Sequence, residues 1–442
     1  MGQREGRFDA TALSGRIVEQ ALELVKTVQE LASGAQTAGE LEAEVVEAMR
    51  RFGAGLLGEL LSARFGKQQG RWRACECGGR QKFIGYRARR AVTLLGDAQV
   101  ERACYRCLDC GAMYYVGAVE LGDAQGGKRV GVQEALSLLA AHMPFGEATD
   151  KLGKLLGIRT CTSEAEKQAE RWGDRLEAAA EAEVEAVFEH HLEVLPEATP
   201  ERLYVALDGC KVELRDQWRE ARIGAVYDTR GRDEEGIDRA GRTTYVGLVH
   251  RHYHEFGQRL YVEAMRRGGG QAQELIVLGD GAPWIWELAQ MHFPGATQIV
   301  DWYHASQHLW TVAHAVYGEG TDRAREWAER QHERLRAGHV DRVVRTLRTL
   351  RTHHPAHADL FRTNAEYFRT NRHRMRYHQF RRRGLHIGSG VVESACRHAS
   401  ADRLKRAGMR WTQRGAQATL NLRLLDLNGR WDAYWHHQKC VA

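Results

Sequence analysis

LYVALDG at residues 203–209 and ELIVLGDG at 274–281 decide how this chain reads. Each is a short, nearly continuous apolar run closed by Asp-Gly. Such runs, four to eight residues long and bounded by turn residues, suit strands buried on both faces, as in a parallel sheet. The closing residues are Asp208 and Asp280, and in open α/β sheets reactive groups gather beyond the carboxyl ends of strands. If the two strands are neighbours, both acids face one crevice. Two close carboxylates repel unless a cation lies between them. Mg²⁺ (or Mn²⁺) takes oxygen ligands and leaves positions open for phosphate oxygens, and two such ions can drive displacement at a phosphodiester. The candidate third acid is Glu393 in GSGVVESACRH (388–398), near the start of a helix whose positive end favours an anion. Strand-end aspartates are also common turn and cap residues, and that reading stands beside the metal-binding one.

The surroundings extend the pattern. REARIGAVYD (219–228) and TTYVGLVH (243–250) read as further strands. A helix follows near 256–267, Pro283 starts another, and ATQIVDWYH (296–304) is a short strand leading into a helix. Three strands, then helix, strand, helix, strand make a mixed α/β layout. Everything from about 305 to 385 reads as helical. That stretch holds seventeen arginines, no lysine and eight acids. Arginine grips phosphate as a bidentate fork, so a DNA-binding surface is expected there, with Arg372, Arg374, Arg376, Arg381, Arg382 and Arg383 as its candidates. The alternative is a solvated helical face. Residues 163–201 carry twelve acids and three bases, a stretch able to screen the basic one or face solvent. LPEATPER (195–202), with two prolines, marks a boundary.

Upstream, residues 9–65 read as two helices with apolar positions three and four apart. Between 71 and 116 the pattern turns to short alternating stretches, and Arg87–Leu95 with Ala98–Tyr105 suggests a hairpin joined at Gly96-Asp97. Five of the nine cysteines lie between Cys75 and Cys110. Cys75-Glu76-Cys77 and Cys107-Leu108-Asp109-Cys110, each followed by glycine, form two halves of a four-thiolate Zn²⁺ site. Cys104 is the alternative ligand, and a metal-free cluster is the alternative state. FGEATDKLGKLLGI (145–158), a turn at Gly157 and a helix capped by Ser163 with Glu166 follow helix-turn-helix order. A plain helical hairpin fits as well. The expected divisions are a helical region at 1–70, a zinc-ribbon-like module at 71–120, a helix-turn-helix with an acidic helix at 128–195, and an α/β catalytic domain at 200–442.

The net charge is +6 over 442 residues, with 43% hydrophobic and 28% charged composition, which suits a multidomain globular chain. No apolar run reaches membrane-spanning length, the N-terminal stretch lacks a secretory core, and its Met-Gly start lacks the acylation pattern. No membrane partner and a cytoplasmic, nucleoid-associated location are expected.

The order LDG, GDGAPWIW (279–286), DWYH (301–304) and GSGVVES (388–394) resembles bacterial insertion-sequence transposases of the Kra type, within the Mutator-like DDE group. The resemblance runs from the cysteine region to the C-terminal helix. It implies a ribonuclease-H-like mixed sheet interrupted by an all-helical insertion at about 305–385, and a metal-binding triad of Asp208, Asp280 and Glu393. Asp301 and His304 match the group's Asp-x-x-His signature, with His304 placed at the chemistry. His308, one turn on, pairs with it as a metal site or simply packs. The expected activity is Mg²⁺-dependent strand cleavage and strand transfer on double-stranded DNA, at terminal inverted repeats and target, by a homodimer or larger homo-oligomer. The rivals are a metal-dependent nuclease that does not join, and a sequence-specific DNA-binding protein derived from a transposase.

Overall fold

A computed structural model describes residues 10–34, 37–122, 127–388 and 390–441. Residues 1–9, and Ser389 of the glycine hinge, lie outside the described residues. The chain divides into two units, one running to Gln168 and taking in the segment from Asp432, the other Ala169–Trp431.

In the first unit, α1 (Ala10–Ala32) and α2 (Ala38–Phe65) form the expected helical pair. Thr37 caps α2: its hydroxyl accepts from the Glu40 amide at 3.3 Å, and the Glu40 carboxylate accepts from the Thr37 amide at 2.8 Å. Strands β1 (Trp72–Ala74), β2 (Arg80–Thr93), β3 (Gly96–Cys107) and β4 (Met113–Tyr115) follow as an antiparallel sheet in sequence order. The hairpin is present, but its turn is Leu94-Leu95, since Thr93 pairs with Gly96. The expectation placed it two residues late. Gly96 takes φ +115°, open to glycine, and the Thr93 hydroxyl accepts from the Leu95 amide at 3.1 Å. This register turns Ala91, Ala98, Val100 and Ala103 into the core with Phe65 of α2.

Helices α3 (Val130–His142), α4 (Phe145–Leu156) and α5 (Thr162–Phe188) come next. Gly157 ends α4 in the left-handed region at φ 68°. Leu136, Leu152, Ile158 and Ala165 pack together across the three. Because α5 begins at Thr162, Ser163 lies inside its first turn and is not the cap expected.

The second unit is built on β5 (Arg202–Glu213), β6 (Trp218–Arg232), β7 (Asp238–Val249), β8 (Glu274–Gly279) and β9 (Thr297–Val300), in the order β7-β6-β5-β8-β9. The first three run antiparallel; β8 and β9 run parallel to β5. Leu203 to Leu207 are all at most 1% exposed, as a strand covered on both faces requires. Covering helices include α6 (Tyr253–Arg266) and α7 (Pro283–His292). After β9 the chain is helical as expected: α8 (Trp302–Tyr317), α9 (Asp322–Arg336), α10 (Val340–His353), α11 (Ala358–Asn371) and α12 (Tyr377–Arg382). Then come α13 (Gly390–Ala395), a π-helical turn at Cys396–Ala401, α14 (Asp402–Leu404) and α15 (Gln413–Leu427). A final helix, α16 (Trp431–Val441), brings Lys439 to Glu134 of α3 at 2.6 Å.

Two expectations need correcting here. The strand carrying Asp208 does not end there: β5 continues to Glu213, held by antiparallel pairing with β6, and only its parallel pairing with β8 stops at Leu207. The acidic stretch was expected to screen the basic helices or face solvent. Instead Glu177 takes Arg259 of α6 in a fork at 2.7 and 3.0 Å, and Asp174 takes Arg414 of α15 at 2.6 Å. These ion pairs tie the second half of α5 into the sheet unit.

Glu263 of α6 meets Arg430 at 2.8 Å and also pairs with Arg266. Burial raises the Glu263 carboxyl, but Arg430 and Arg266 outweigh it, and the group stays below its ordinary 4.5. Glu177 is likewise raised by burial and lowered further by Arg259. A depressed carboxyl stabilises the fold above its unfolded pKa, and that stability is lost as pH falls through the folded value. Urea midpoints should therefore drop as pH goes below about 4.5, and Glu263→Gln should cost ~3 kcal/mol at pH 7 while flattening that acid limb. An acid limb as steep in the variant as in the parent would refute this.

Candidate metal centres

Register places the acids of the second unit. In the parallel pairing, Leu207 lies opposite Gly279 and Gly279 opposite Val300. The next residue on each chain is an aspartate: Asp208, Asp280 and Asp301. They stand at one level on three adjacent strands, just past the parallel pairing. Two of them, Asp208 and Asp280, group with His304, while the third has a structural role as well. Asp301 is fully buried and caps α8, accepting from the amides of Tyr303 and His304 (3.1 Å to the latter). This cap seats His304 in the first turn of α8, with Nδ1 3.7 Å from the Asp301 carboxylate.

Ligand atoms of Asp208, Asp280 and His304 lie within 4.8 Å of one another. A second cluster, Asp301, His304 and Glu393, is equally tight. The two share His304. The candidate third acid, exposed on α13, thus arrives at the same imidazole as the two aspartates, although 113 positions separate it from Asp280. The turn-residue reading also holds in part: Asp208 accepts from the Gly209 amide at 2.7 Å and Asp280 from the Ala282 amide at 2.8 Å.

Burial pushes the Asp208 carboxyl up, Asp280 adds to the rise, and Cys396, the Gly209 amide and His304 oppose it. His304 is raised by Asp301 first, against burial, and also by Asp208 and Asp280. A half-buried pair of acids with a raised carboxyl is a donor set that a divalent cation relieves. All-oxygen aspartates with one imidazole fit Mg²⁺ or Mn²⁺.

Several groups at this site escaped the sequence reading. Tyr367 of α11 donates its hydroxyl to the Asp280 carbonyl at 2.8 Å, a direct tie from the helical segment to the acid. Gly281 has φ +103°, and a Cβ there would lie 2.6 Å from the Tyr367 ring. Behind Asp208, Cys210 and Ser400 form a buried pair at 3.2 Å. No spacing pattern announces these contacts, which come from segments 87 and 190 residues apart. His308 packs: it bonds Asn364 at 2.7 Å and stacks on Tyr367 at 3.8 Å.

The arginines sort by their contacts. Arg374 lies 4.4 Å over Trp286 and donates to Gln298 and Asn371. Arg381 pairs with Glu235 and Arg383 with Glu274. Those three are engaged within the fold, although Arg381 and Arg383 are exposed, as are Arg372, Arg376 and Arg382. A row that sequence density did not single out, Arg342, Arg345, Arg348 and Arg351 of α10, is exposed too.

In the first unit, the sulfurs of Cys75, Cys77, Cys107 and Cys110 lie within 4.8 Å of one another, with Cys75–Cys110 and Cys77–Cys107 both at 3.7 Å. Tetrahedral Zn²⁺ with Zn–S bonds of ~2.3 Å spaces its sulfurs by ~3.8 Å, so the set fits that ion. The single residue between Cys75 and Cys77 does not prevent both from reaching it. Cys104, the alternative, is buried in β3 and absent from the cluster. The amide of Cys110, then that of Asp109 against burial, draws the Cys107 thiol down to about 7. At Cys77 the Gly79 amide acts downward, but Cys110, Cys75 and Cys107 together push it up to about 12. Four thiols this close cannot all ionise without a cation among them.

Zinc released on thiol modification should therefore approach one equivalent per chain, and Cys77→Ser or Cys107→Ser should release almost none. Full zinc retention by either variant would exclude the assignment. Gly281→Ala should lower the melting temperature, because it strains a left-handed turn and presses on Tyr367; an unchanged melt would show that the turn tolerates a side chain. No curated protein matches the chain. The profile of a family described as uncharacterised matches residues 32–439, a span that includes both candidate centres. The chain belongs to that family, UPF0236.

Proposed function

We propose that this chain is a DNA transposase of the DDE kind. Its second unit would cut and join phosphodiester strands at Asp208, Asp280 and Glu393. One observation carries the reading: strand register and a helix cap bring two aspartates, and a glutamate from far along the chain, to a single imidazole. The five-stranded sheet, with its helical segment between β9 and α13, supports a ribonuclease-H-like domain with an all-helical insertion.

Divalent ions held by these acids would supply charge neutralisation at the phosphate and activation of the attacking oxygen. The chain's own part is placement. Asp208 and Asp280 follow directly on the paired residues Leu207 and Gly279, so they cannot shift independently, and Asp301 fixes His304 beside them. First, the oxygen of water attacks phosphorus and the bond to the 3′-oxygen breaks, leaving a 3′-hydroxyl and a 5′-phosphate. Next, that 3′-hydroxyl attacks a target phosphate, forming a new ester and releasing the target's own 3′-oxygen. Both are in-line displacements, so one site serves both. The exposed arginines of the insertion would hold the DNA backbone, making binding salt-sensitive. The zinc-ribbon-like sheet and the α4–α5 pair would recognise terminal inverted repeats. Two ends must be held together, so a homodimer or larger assembly acts, in the cytoplasm at the nucleoid.

The test is strand transfer with Mg²⁺ on duplexes carrying the inverted repeats that flank the gene. Joined product is expected from the parent. Asp208→Asn, Asp280→Asn and Glu393→Gln should each lose about a thousandfold or more while binding the duplex within twofold. Cleavage without joining would make the protein a nuclease, and binding with neither would make it a DNA-binding derivative.

A further inference from the structure

Beside Asp280 the second unit holds a cavity of about 760 Å³ that cutting and joining alone do not explain. Gly281, the residue after the catalytic aspartate, forms part of its wall. Around it stand Trp286 of α7, Gln298 of β9, and Arg374 and Arg376 from the link between α11 and α12. The volume falls in the ~300–1,000 Å³ range of small-ligand sites. A double helix cannot enter such a space; one nucleotide can.

Its chemistry is specific. Arg374 and Arg376 line it with His373, and Arg383, paired with Glu274, stands at its edge; the one carboxylate in the wall, Glu287, already accepts from the Tyr253 hydroxyl at 2.6 Å. Burial, and then the flanking Arg374, Arg376 and Arg372, hold His373 below the ordinary imidazole value, as a concentration of positive charge should. The first turn of α7 opens here, and its cap residue Ala282 offers no side-chain bond to the helix amides. The Arg374 guanidinium lies 4.4 Å over the Trp286 ring, and both belong to the wall. With one face of that guanidinium on the indole, its plane is a surface on which a nucleobase stacks. Trp286 is 7% exposed, and its indole N–H has no acceptor among the described residues. A buried donor left unpaired is unfavourable, and a base or phosphate oxygen would satisfy it. Amides of Gln290, Gln298, Asn371 and Gln379 complete the rim.

We infer that this cavity binds one unpaired nucleotide, base and phosphate together, next to the phosphate that the acids attack. This rests on the DNA-processing reading above. The nucleotide belongs to the strand under attack, drawn out of its stack at a cost of a few kcal/mol; a free mononucleotide offers the same chemistry, and the test separates the two.

Binding is measured by fluorescence anisotropy without divalent metal, so cleavage plays no part. The probes are a paired duplex, the same duplex with one unpaired nucleotide, and a single strand. Trp286→Phe removes the N–H and keeps a ring. Arg376→Ala and Gln379→Ala alter exposed wall residues and leave the fold intact if Trp286→Phe does not. Each should weaken the unpaired and single-stranded probes about tenfold and the paired duplex less than threefold. Arg345→Ala on α10, outside the cavity, should weaken all three alike. Deoxyadenosine monophosphate should displace the single strand from the parent, and inorganic phosphate at equal concentration should not. Equal losses on paired and unpaired DNA would overturn the inference. So would displacement by phosphate alone, or mononucleotide binding that leaves the single strand in place. If strand transfer fails while the unpaired preference survives, the catalytic reading falls and the cavity stands; loss of the preference alone removes only the cavity.

Discussion

Two carboxylates, Asp208 and Asp280, are forced side by side because the strands beneath them are hydrogen-bonded in a fixed parallel register. Backbone bonding between β5 and β8 ends with Leu207 against Gly279. Neither acid can withdraw without breaking that ladder. The sheet therefore stores like-charge repulsion in a half-buried crevice, where water screens it poorly. Burial does most to raise the Asp208 carboxyl, and Asp280 beside it adds to the rise. Everything around the crevice serves to hold the acids in place or to compensate their charge.

The supports come from distant segments and act through backbone atoms as much as side chains. Asp301 occupies the third strand end, yet it is consumed by the α8 cap and so orients His304. Tyr367 anchors the helical segment to the Asp280 carbonyl. Deeper in the sheet, Arg202 grips Asp238 at 2.9 and 3.0 Å, and Tyr204 donates to the same carboxylate at 2.7 Å, joining β5 to the edge strand β7. A buried charge with all its bonds made stiffens the scaffold; the same charge missing one partner would destabilise it. Exposed arginines lie on the helices beyond this scaffold.

The four-cysteine cluster repeats the logic with thiols. β1 and β4 are three residues each, too short to bury much apolar surface. A bound ion would supply the cohesion that packing cannot. In both places the fold concentrates groups that repel one another, and a cation would resolve the conflict.

Local chemistry made much of this legible in the sequence. Apolar runs closed by Asp-Gly announced β5 and β8, helical periodicity announced the segment from 305 to 385, and cysteine pairs with trailing glycines announced the thiol cluster. These signals survive translation because each is carried by residues a few positions apart. Where the sequence misled, a longer-range contact had overruled the local one: pairing with β6 carried β5 past Asp208, core register moved the hairpin turn to Leu94-Leu95, and ion pairs with Arg259 and Arg414 drew acids of α5 onto the sheet unit. The sequence by itself determined the strands, the helices and the residues able to bind metal. Only the tertiary structure decided that Asp301 caps α8 beside His304, that Arg374, Arg381 and Arg383 are spoken for, and that Glu393 meets His304. Spacing along a chain fixes what neighbours do, but which distant groups share a crevice is set by strand order and packing, and those are properties of the whole fold.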